Sequence, residues 1–452
     1  MSEQKSLGEL SEDEDSENAS TSSFLWKNIP EDWNLVKGTH VYSVNPSYSA
    51  EGEVSYIGMG ELSEELPYPN LNGTREVDDN SGKLFKENDV IFPRITPCTE
   101  NGKRAIITEL PTEVGIGSTE FIVLSSDKEK MLPWYLFYLV NSYTVRDYAI
   151  SRMRGSTGRQ RVPYSVFRNE LDVPLPPKSE QEKIASVLYN VDQAIQKTEE
   201  IIEQTQRVKK GLMQDLFTEG DASKMERRDI RIGPKEHKVP EAWQVKELGD
   251  LIEIQSGNSF KSKNYVDEGI PLIRISNIQK GYLDLEDLEH LPEEHKEENN
   301  SYLLEKDDIV LVMTRPIIGS GIKASRIDDD EYLLNQRMVK IESEDESKLL
   351  NNFLYHYLFS EVFIHQVKIS VRATHQPNLS KNDLKSFKIP LPPIDKQKEI
   401  LNSLNSVNNR ISHNKKLKKE LESVKKGLMQ DLLTGEVRTH DKDIEVLEEV
   451  KA

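Results

Sequence analysis

The sequence predicts a mixed α/β protein of the α+β class, in which two copies of one unit each combine a globular domain with a long helix. Three observations predict this fold. A thirteen-residue phrase occurs twice, a proline-rich phrase occurs twice at the same separation, and a heptad pattern of apolar residues follows each proline-rich phrase. We expect the two helices to pair as an antiparallel coiled coil, which would give the chain pseudo-twofold symmetry.

The repeat keeps one spacing throughout. The phrase "VKKGLMQDLFTEG" (Val208–Gly220) returns as "VKKGLMQDLLTGE" (Val424–Glu436), 216 residues later. The phrase "VPLPPKSEQEKIASVL" (Val173–Leu188) returns as "IPLPPIDKQKEILNSL" (Ile389–Leu404) at the same separation. Each half therefore consists of a variable region of about 145 residues and a constant segment of about 43 residues.

Each constant segment is expected to form one long helix. The dipeptide Pro176-Pro177 forbids a helix before it, and apolar or small residues then recur at alternating spacings of four and three. The predicted seam residues are Ile184, Leu188, Val191, Ile195, Thr198, Ile202, Thr205, Leu212 and Leu216 in the first helix, and Ile400, Leu404, Val407, Ile411, Leu417, Leu421, Val424, Leu428 and Leu432 in the second.

The outer faces of the two predicted helices carry opposite charge near their middles. The first is acidic (Glu199, Glu200 and Glu203) and the second is basic (Lys415, Lys416, Lys418 and Lys419). This pattern favours pairing of the two helices with each other over self-pairing. The variable regions alternate short β-rich runs with turns, and each ends in an aromatic-rich helical stretch whose rings are expected to pack the core. Those stretches are Leu132–Ile150 and Asn351–Val367.

Composition limits the possible functions. The formal net charge is −19, but much of the acid lies in the first 20 residues, after Gly435 and in the run Leu283–Asn300, which is expected to be a solvated loop. Net charge therefore does not exclude a nucleic-acid partner. The single cysteine, Cys98, excludes an internal disulfide framework and a cysteine-rich zinc site. Neither a membrane-spanning apolar run nor a secretory signal is evident, which favours a cytoplasmic protein.

The sequence shows no catalytic constellation. It lacks the spacing of a phosphate-binding loop and a glycine fingerprint for a nucleotide cofactor. Two other classes remain open, namely a standalone methyltransferase or nuclease and a coiled-coil interaction protein unrelated to DNA. Binding of S-adenosylmethionine by the isolated chain would favour the first alternative, and salt-sensitive binding to duplex DNA would exclude the second.

Basic and polar residues cluster just before each proline-rich phrase. The first loop is "SRMRGSTGRQR" (Ser151–Arg161) and the second is "KISVRATHQPN" (Lys368–Asn378). Arginine and glutamine donate hydrogen bonds to base edges, whereas serine and threonine bind phosphates. The predicted DNA-binding residues are Arg94, Arg152, Arg154, Ser156, Thr157, Arg159, Gln160, Arg161, Arg315, Lys368, Arg372, Thr374, His375 and Gln376. No residue is assigned a catalytic or metal-binding role.

Several phrases resemble those that recur in the specificity subunits of type I restriction-modification enzymes. They are "IPEDW", "FPRITPCTENGK" (Phe92–Lys103), "PLPPKSEQEKI" and "VKKGLMQDL", and the resemblance extends from about Phe24 to Val437. The second half departs from the pattern, with "TRPIIGSGIK" (Thr314–Lys323) where the first half has "ITPCTENGK".

The resemblance implies a domain organisation. Residues 24–175 and 221–391 would be target-recognition domains, the second opening with a linker over 221–238. Residues 176–220 and 392–436 would be conserved helical spacers. Residues 1–23 would form a disordered acidic tail and residues 437–452 an acidic C-terminal tail.

The resemblance also implies a role without catalysis. Such a subunit binds an asymmetric, two-part sequence in double-stranded DNA, and directs adenine methylation and restriction by two methyltransferase subunits and by motor-nuclease subunits. This chain would then bind no cofactor itself, because S-adenosylmethionine, ATP and Mg²⁺ would belong to the partner subunits. The length of the helices is expected to set the distance between the two half-sites.

Overall fold

The computed structural model describes residues 25–27, 29–71, 73–77, 82–156, 158–218, 226–232, 235–329, 331–372 and 377–451. The predicted tail over residues 1–23 lies outside these ranges. The chain divides into two compact units, the first formed by Met1–Ile201 and Asn414–Ala452, and the second by Ile202–His413. Within the described ranges, no helix is long and apolar enough to cross a membrane.

The described residues of the first globular part form ten strands and two short α-helices. The strands are β1 (Asn34–Lys37), β2 (Tyr42–Val44), β3 (Glu53–Ile57), β4 (Gly73–Glu76), β5 (Lys83–Phe85), β6 (Val90–Pro93), β7 (Ala105–Ile106), β8 (Gly115–Gly117), β9 (Phe121–Ser126) and β10 (Asp172–Leu175). The helices are α1 (Pro133–Val140) and α2 (Tyr143–Ser151), and the long helix α3 (Lys178–Thr218) follows.

Where the structure describes it, the second globular part consists of the remaining strands and four short α-helices. The strands are β11 (Arg227–Ile232), β12 (Lys235–Pro240), β13 (Gln244–Glu247), β14 (Ile252–Ser256), β15 (Ile270–Ile273), β16 (Glu289–Leu291), β17 (Leu303–Leu304), β18 (Ile309–Val312), β19 (Ile317–Ile318), β20 (Gly321–Ile322), β21 (Ala324–Arg326), β22 (Tyr332–Leu334), β23 (Met338–Ser343) and β24 (Lys388–Leu391). The helices are α4 (Glu294–Glu298), α5 (Asn351–Tyr357), α6 (Glu361–Arg372) and α7 (Lys381–Ser386), followed by the long α8 (Ile394–Thr434) and the short α9 (Glu448–Lys451).

The two globular parts share one topology. In the first, an antiparallel sheet has the order β2-β9-β6-β7, and a second sheet has the order β4-β3-β8-β5 with β3 and β8 parallel. The corresponding orders in the second are β14-β23-β18-β21 and β16-β15-β22-β17, with β15 and β22 parallel. The predicted duplication therefore extends to the order and direction of the strands.

A short antiparallel ribbon joins the beginning and the end of each globular part. Strand β1 pairs with β10, so that Asn34 lies opposite Leu175. Strand β13 pairs with β24, so that Gln244 lies opposite Leu391. The chain consequently enters and leaves each globular part at the same place, just before a long helix.

The acidic run Leu283–Asn300 is more ordered than the expected solvated loop. It contains strand β16 and helix α4. Leu291, at the end of β16, is fully buried in a small apolar core. The expectation of a loop is wrong for these two elements: Leu291 anchors β16 in that core, whereas α4 consists of polar residues of which none is buried.

The aromatic-rich stretches pack the core, as predicted. Every residue of α1 is buried, and Trp134 packs edge-on against Tyr189 of α3, with ring centroids 5.0 Å apart. In the second unit, Phe353 and Tyr357 of α5 are fully buried, and Phe217 of α3 lies 5.0 Å from the Phe353 ring.

A buried glutamine fixes the first turn of each long helix. Gln181 is fully buried; its amide nitrogen donates to the carbonyl oxygens of Lys130 and Pro176, and its oxygen accepts from the N–H of Leu132. Gln397 makes the same three contacts in the second unit, with Lys348, Pro392 and Leu350. Each side chain satisfies backbone groups that would otherwise be buried without partners.

The two long helices run antiparallel where they meet in the first unit. Asp192 of α3 forms an ion pair with Lys425 of α8, and Glu199 pairs with Lys418 at 2.6 Å, so residue numbers rise on one helix as they fall on the other. The predicted antiparallel pairing and charge complementarity are confirmed here. In the second unit, Phe217 of α3 and Leu404 of α8 belong to the same core, which agrees with the same direction.

The predicted seam is wrong at two positions in the second half of α8, although Leu432 is buried as predicted. Val424 and Leu417 are 51% and 37% exposed, whereas Lys425 is only 7% exposed. A charged residue takes the seam position because a buried carboxylate, Asp192, lies opposite it. The apolar pattern could not reveal this exchange, since the pattern counts only apolar residues.

Residues 437–451, which the sequence distinguishes only by their acidity, pack against the first unit. Arg438 donates two hydrogen bonds of 3.0 Å to the carboxylate of Glu180 and pairs with Asp32 at 2.6 Å. Glu180 also accepts from the indole N–H of Trp33 at 2.9 Å. Further along, Val450 of α9 is fully buried in the core that contains α1.

Acidification is expected to weaken this attachment. Burial alone would raise the pKa of Glu180, but the hydrogen bonds from Arg438, Trp33 and Thr439 outweigh it and lower the pKa below its ordinary 4.5. A carboxylate with a lowered folded pKa stabilises the fold above its unfolded pKa, and this stabilisation disappears as the pH falls through the folded value. Limited proteolysis at the C-terminus should therefore accelerate as the pH falls below about 4.5. A Glu180→Gln variant should be cut faster at neutral pH, with a flatter pH profile; parallel profiles would contradict this role of Glu180.

Candidate nucleic-acid interface

The first predicted loop is a narrow hairpin that follows α2. Arg154 and Arg161 pair across its base, with the N–H of each donating to the carbonyl oxygen of the other at 2.9 and 2.8 Å. Gly155 has a φ of 130°, and a Cβ there would lie 2.7 Å from the carbonyl oxygen of Arg159. The turn therefore requires glycine at this position, and the side chains of Ser156, Arg159 and Gln160 in the hairpin are exposed to solvent.

The hairpin is attached to the strand end that follows β6. Ile95 pairs with Arg161, the N–H of Thr96 donates to the carbonyl oxygen of Gln160 at 3.0 Å, and the N–H of Val162 donates to that of Arg94 at 2.7 Å. The segment that follows β6 and the hairpin, which are far apart in sequence, thus form one continuous edge of the first globular part.

The second unit attaches its loop in the same way. Thr314 pairs with Asn378, the N–H of Arg315 donates to the carbonyl oxygen of Pro377 at 2.9 Å, and the N–H of Leu379 donates to that of Met313 at 2.8 Å. Asn378 is therefore the counterpart of Arg161, as in the alignment of the two loops by sequence. Arg315 is the counterpart of Thr96, and so does not correspond to Arg94.

The predicted arginines of the first loop fall into two groups. Arg154 and Arg159 are exposed, and neither side chain has a hydrogen bond or ion pair within the described residues. Ser156 and Gln160 are exposed beside them. These residues have the free donors and acceptors that contact with a phosphate or a base edge requires.

The other arginines are held by neighbouring groups. Arg161 forms a two-pronged ion pair with Glu120, with its Nε 2.9 Å and its Nη2 2.6 Å from the carboxylate oxygens, and these hydrogen bonds raise its pKa. Arg152 lies 3.3 Å from the carboxylate of Glu170. Arg94 donates to the carbonyl oxygen of Val162 and its guanidinium lies 3.8 Å from the centre of the Tyr164 ring. These contacts fix the base of the hairpin.

The remaining predicted residues lie in the second unit or outside the described ranges. Arg315 is exposed, with a φ of 49°, and its side chain has no partner among the described residues. Lys368 is half-buried on α6 and Arg372 is the last residue of that helix, so the predicted loop Lys368–Asn378 is wrong over its first five residues, which are helical. Thr157, Thr374, His375 and Gln376 lie outside the described residues.

Sequence reasoning missed the residue that orients Arg161. Glu120 is 41 positions earlier, just before β9, and meets Arg161 only because β9 lies beside β6 in the sheet. Local sequence carries no signal for such a pair. Among the described residues, no cluster of three or more histidine, cysteine, aspartate or glutamate side chains could hold a metal ion.

Comparison with known proteins assigns the family. The family described as "Type I restriction modification DNA specificity domain" matches the chain twice, over residues 34–207 and 240–423. This chain belongs to that family. The two matched segments are the two copies of the repeat, so each copy of the specificity domain comprises a globular part and most of the long helix that follows it.

Relatives of this specificity-domain chain extend over nearly its whole length. The type I restriction enzyme MjaVIII specificity subunit of Methanocaldococcus jannaschii is 30% identical, over 91% of this chain and 94% of the relative. The type I restriction enzyme EcoAI specificity subunit of Escherichia coli is 24% identical, over 84% of this chain and 78% of the relative.

Solved structures agree with the fold. One is a chain from a structural study of complex assembly and conformational transition in the type I R-M system. It covers 91% of this chain and 100% of its own length, with a TM-score of 0.59 and 17% identity. The S subunit of a type I restriction-modification system from M. genitalium matches 90% of this chain and 97% of its own length, with a TM-score of 0.51 at 16% identity.

Proposed function

We propose that this chain recognises a bipartite, asymmetric sequence in double-stranded DNA, and that each unit reads one half of it. The observation that carries this proposal is the repeated edge, in which a polar loop is hydrogen-bonded to the same strand end in both units. The scaffold is the same in both units but the side chains differ, since the first unit has Arg161 where the second has Asn378, and Thr96 where the second has Arg315. Two similar scaffolds with different donors suit two different half-sites.

The proposed target-recognition domains are residues 24–175 and 221–391, and the loops at Ser151–Arg161 and Lys368–Asn378 are their DNA-contacting parts. The long helices at 176–220 and 392–436 are proposed to act as spacers. Arg154, Arg159 and Arg315 are the strongest candidates for direct contact, because the described structure gives their side chains no competing partner.

The chain is proposed to direct chemistry that other subunits perform. Membership of the specificity family and the names of the relatives support a place in a type I complex, with two methyltransferase subunits and motor-nuclease subunits as partners. S-adenosylmethionine, ATP and Mg²⁺ would be bound by those partners. The complex would act in the cytoplasm and methylate one adenine in each half-site.

The full-length chain alone is expected to bind duplex DNA without modifying it. Selection from a random duplex library should return a two-part motif, and the affinity should fall steeply with added salt because phosphate contacts release counterions. Adenine methylation of the selected sequence should appear only when the cognate methyltransferase subunit and S-adenosylmethionine are added. Methylation by the highly purified chain alone, or the absence of any selected motif, would contradict the proposal.

A further inference from the structure

The loop between β6 and β7 of the first unit, Thr96–Lys103, lies directly beside the hairpin that carries Arg154 and Arg159. The N–H of Thr96 is hydrogen-bonded to the hairpin at Gln160. The loop has no strand pairing of its own, and it exposes two polar side chains at its tip, Glu100 and Asn101. It therefore extends the same edge of the domain.

The two exposed side chains of this loop are held in position. Glu100 accepts a hydrogen bond of 2.9 Å from the hydroxyl of Thr96. Asn101 donates one of 3.2 Å to the carboxylate of Glu64. Each retains free acceptor or donor capacity, since a carboxylate accepts several hydrogen bonds and an amide has two donors and an acceptor.

A buried arginine of α2 holds the loop from below. Arg146 is 7% exposed, and its Nη2 donates to the carbonyl oxygens of both Thr99 and Lys103 at 3.0 Å. Its Nη1 donates to the side-chain oxygen of Asn141 at 2.6 Å, and its guanidinium lies 4.9 Å from the centre of the Phe92 ring. One side chain thus ties the loop to α2, the helix that leads into the hairpin.

This arrangement is costly for the fold. Burial, together with the nearby Arg104, lowers the pKa of Arg146 to about 9. Within the described residues Arg146 has no carboxylate partner, and its hydrogen bonds go only to neutral oxygens. Burying a cation without a counter-ion is unfavourable, and the hydrogen bonds to Asn141, Thr99 and Lys103 offset only part of that cost.

The corresponding loop of the second unit, which follows β18, is held by strand pairing and has no equivalent of Arg146. Ser142 and Ser360 cap α2 and α6 in the same way, each accepting from the N–H three residues later, which places Ile364 at the position of Arg146. The loop there forms its own hairpin, with Ile317 of β19 opposite Ile322 of β20. The loop of the second unit is thus closed by strand pairing, whereas that of the first is closed by turn hydrogen bonds, such as that from the N–H of Lys103 to the carbonyl oxygen of Cys98, together with the buried guanidinium.

We propose that Thr96–Lys103 is a second DNA-contacting element of the first unit and that Arg146 is the positioning residue that fixes it beside Arg154 and Arg159. This inference rests on the proposed function. Carboxylates accept hydrogen bonds from the amino group of cytosine, and carboxamides pair with the edge of adenine. Glu100 and Asn101 would therefore discriminate bases that the neighbouring arginines, which favour guanine and phosphate, do not.

The test uses the full-length chain and selection from a random duplex library at one fixed salt concentration. Arg146→Met and the double variant Glu100→Ala/Asn101→Ala are each expected to relax base preference by roughly 5- to 150-fold at positions within one half-site, with the other half-site unchanged. Arg146→Lys, which keeps the charge but not the planar fork, should be intermediate. Ile364→Met, at the matching position of the second unit, should leave the first half-site unchanged.

The outcomes separate this inference from the proposed function. If the wild-type chain selects no two-part motif, the proposed function fails. If it selects one and the Glu100→Ala/Asn101→Ala variant keeps the full wild-type preference, the inference fails alone. Loss of preference in both half-sites would also overturn it, because the effect would then be global. If thermal unfolding shows that Arg146→Met is strongly destabilised, the test depends on the Glu100→Ala/Asn101→Ala variant. Those two side chains are exposed and are not part of a core, so their removal should leave the fold intact.

Discussion

Replacing Lys425 by methionine is expected to lower the free energy of unfolding of the first unit by about 3–5 kcal/mol. The reason is that this substitution leaves the buried carboxylate of Asp192 without its cationic partner. Asp192 is 1% exposed, and its partners are Lys425 and the hydroxyl of Tyr138, which donates at 2.8 Å. Burial and the neighbouring Arg104 already lower the pKa of Lys425 to about 8, so both charges are poorly solvated and depend on each other.

Tryptophan fluorescence can follow this unit by itself. Trp26, Trp33 and Trp134 belong to the first unit and Trp243 to the second, so a Trp243→Phe background reports only the first. Urea unfolding in that background should show the loss for Lys425→Met.

Two further variants complete this experiment. The double variant Asp192→Leu/Lys425→Met should recover part of the loss, because an apolar pair needs no counter-ion but the buried hydroxyl of Tyr138 loses its acceptor. Asn408→Asp, at the position equivalent to Asp192 in the second helix, is only half-buried and lies in the second unit, so its small expected effect on stability is followed by circular dichroism, which reports both units. A loss below about 1 kcal/mol for Lys425→Met would mean that solvent reaches this pair.

Removing both free arginines of the first hairpin, by Arg154→Ala/Arg159→Ala, is expected to weaken binding to the selected DNA sequence by about 2–6 kcal/mol in total. Each arginine that reads a base contributes about 1–3 kcal/mol, and each that contacts a phosphate also steepens the dependence on salt. Binding titrations at several salt concentrations distinguish the two roles. A base contact changes the preference at one half-site, whereas a phosphate contact changes the salt slope by about one unit and weakens all sequences alike.

The control for this experiment removes the same charge elsewhere. Lys128 and Lys197 are exposed in the first unit, and their ammonium groups have no partner among the described residues. The variant Lys128→Ala/Lys197→Ala should keep the wild-type half-site preference. Equal weakening by both double variants would indicate that only overall charge matters, and would remove the hairpin from the recognition site.

The periodic features of the fold could be predicted from the sequence. The repeat gave the duplicated units, and the proline-rich phrases gave the beginning of each long helix at Lys178 and Ile394 to within two residues. These features are local or periodic, so they depend only on residues near each other in the chain. The burial of Lys425 at the seam could not be predicted, because it depends on Asp192, which lies 233 residues away.

The candidate site was predicted in outline only. The sequence identified the arginine-rich loop, but it does not distinguish the arginines that form ion pairs within the protein from those that remain exposed. Glu120 and Glu170 hold two of them, while Arg154 and Arg159 remain exposed. That division depends on side chains from other strands and turns. Arg146 was missed for the same reason, since the loop that it holds is bound through the backbone carbonyls of Thr99 and Lys103, which the sequence does not bring next to it.

The ribbons that pair β1 with β10 and β13 with β24 make each globular part a closed insertion between fixed points. Asn34 lies opposite Leu175, and Gln244 lies opposite Leu391. The two ends of each globular part are therefore adjacent, whatever sequence lies between them. The glutamine at the start of each long helix holds only backbone carbonyls and one N–H, so it tolerates many different side chains around it. A recombination event that exchanges one such segment therefore places a new set of recognition side chains between the same paired strands. No compensating substitution in the long helices is needed for the exchanged chain to fold.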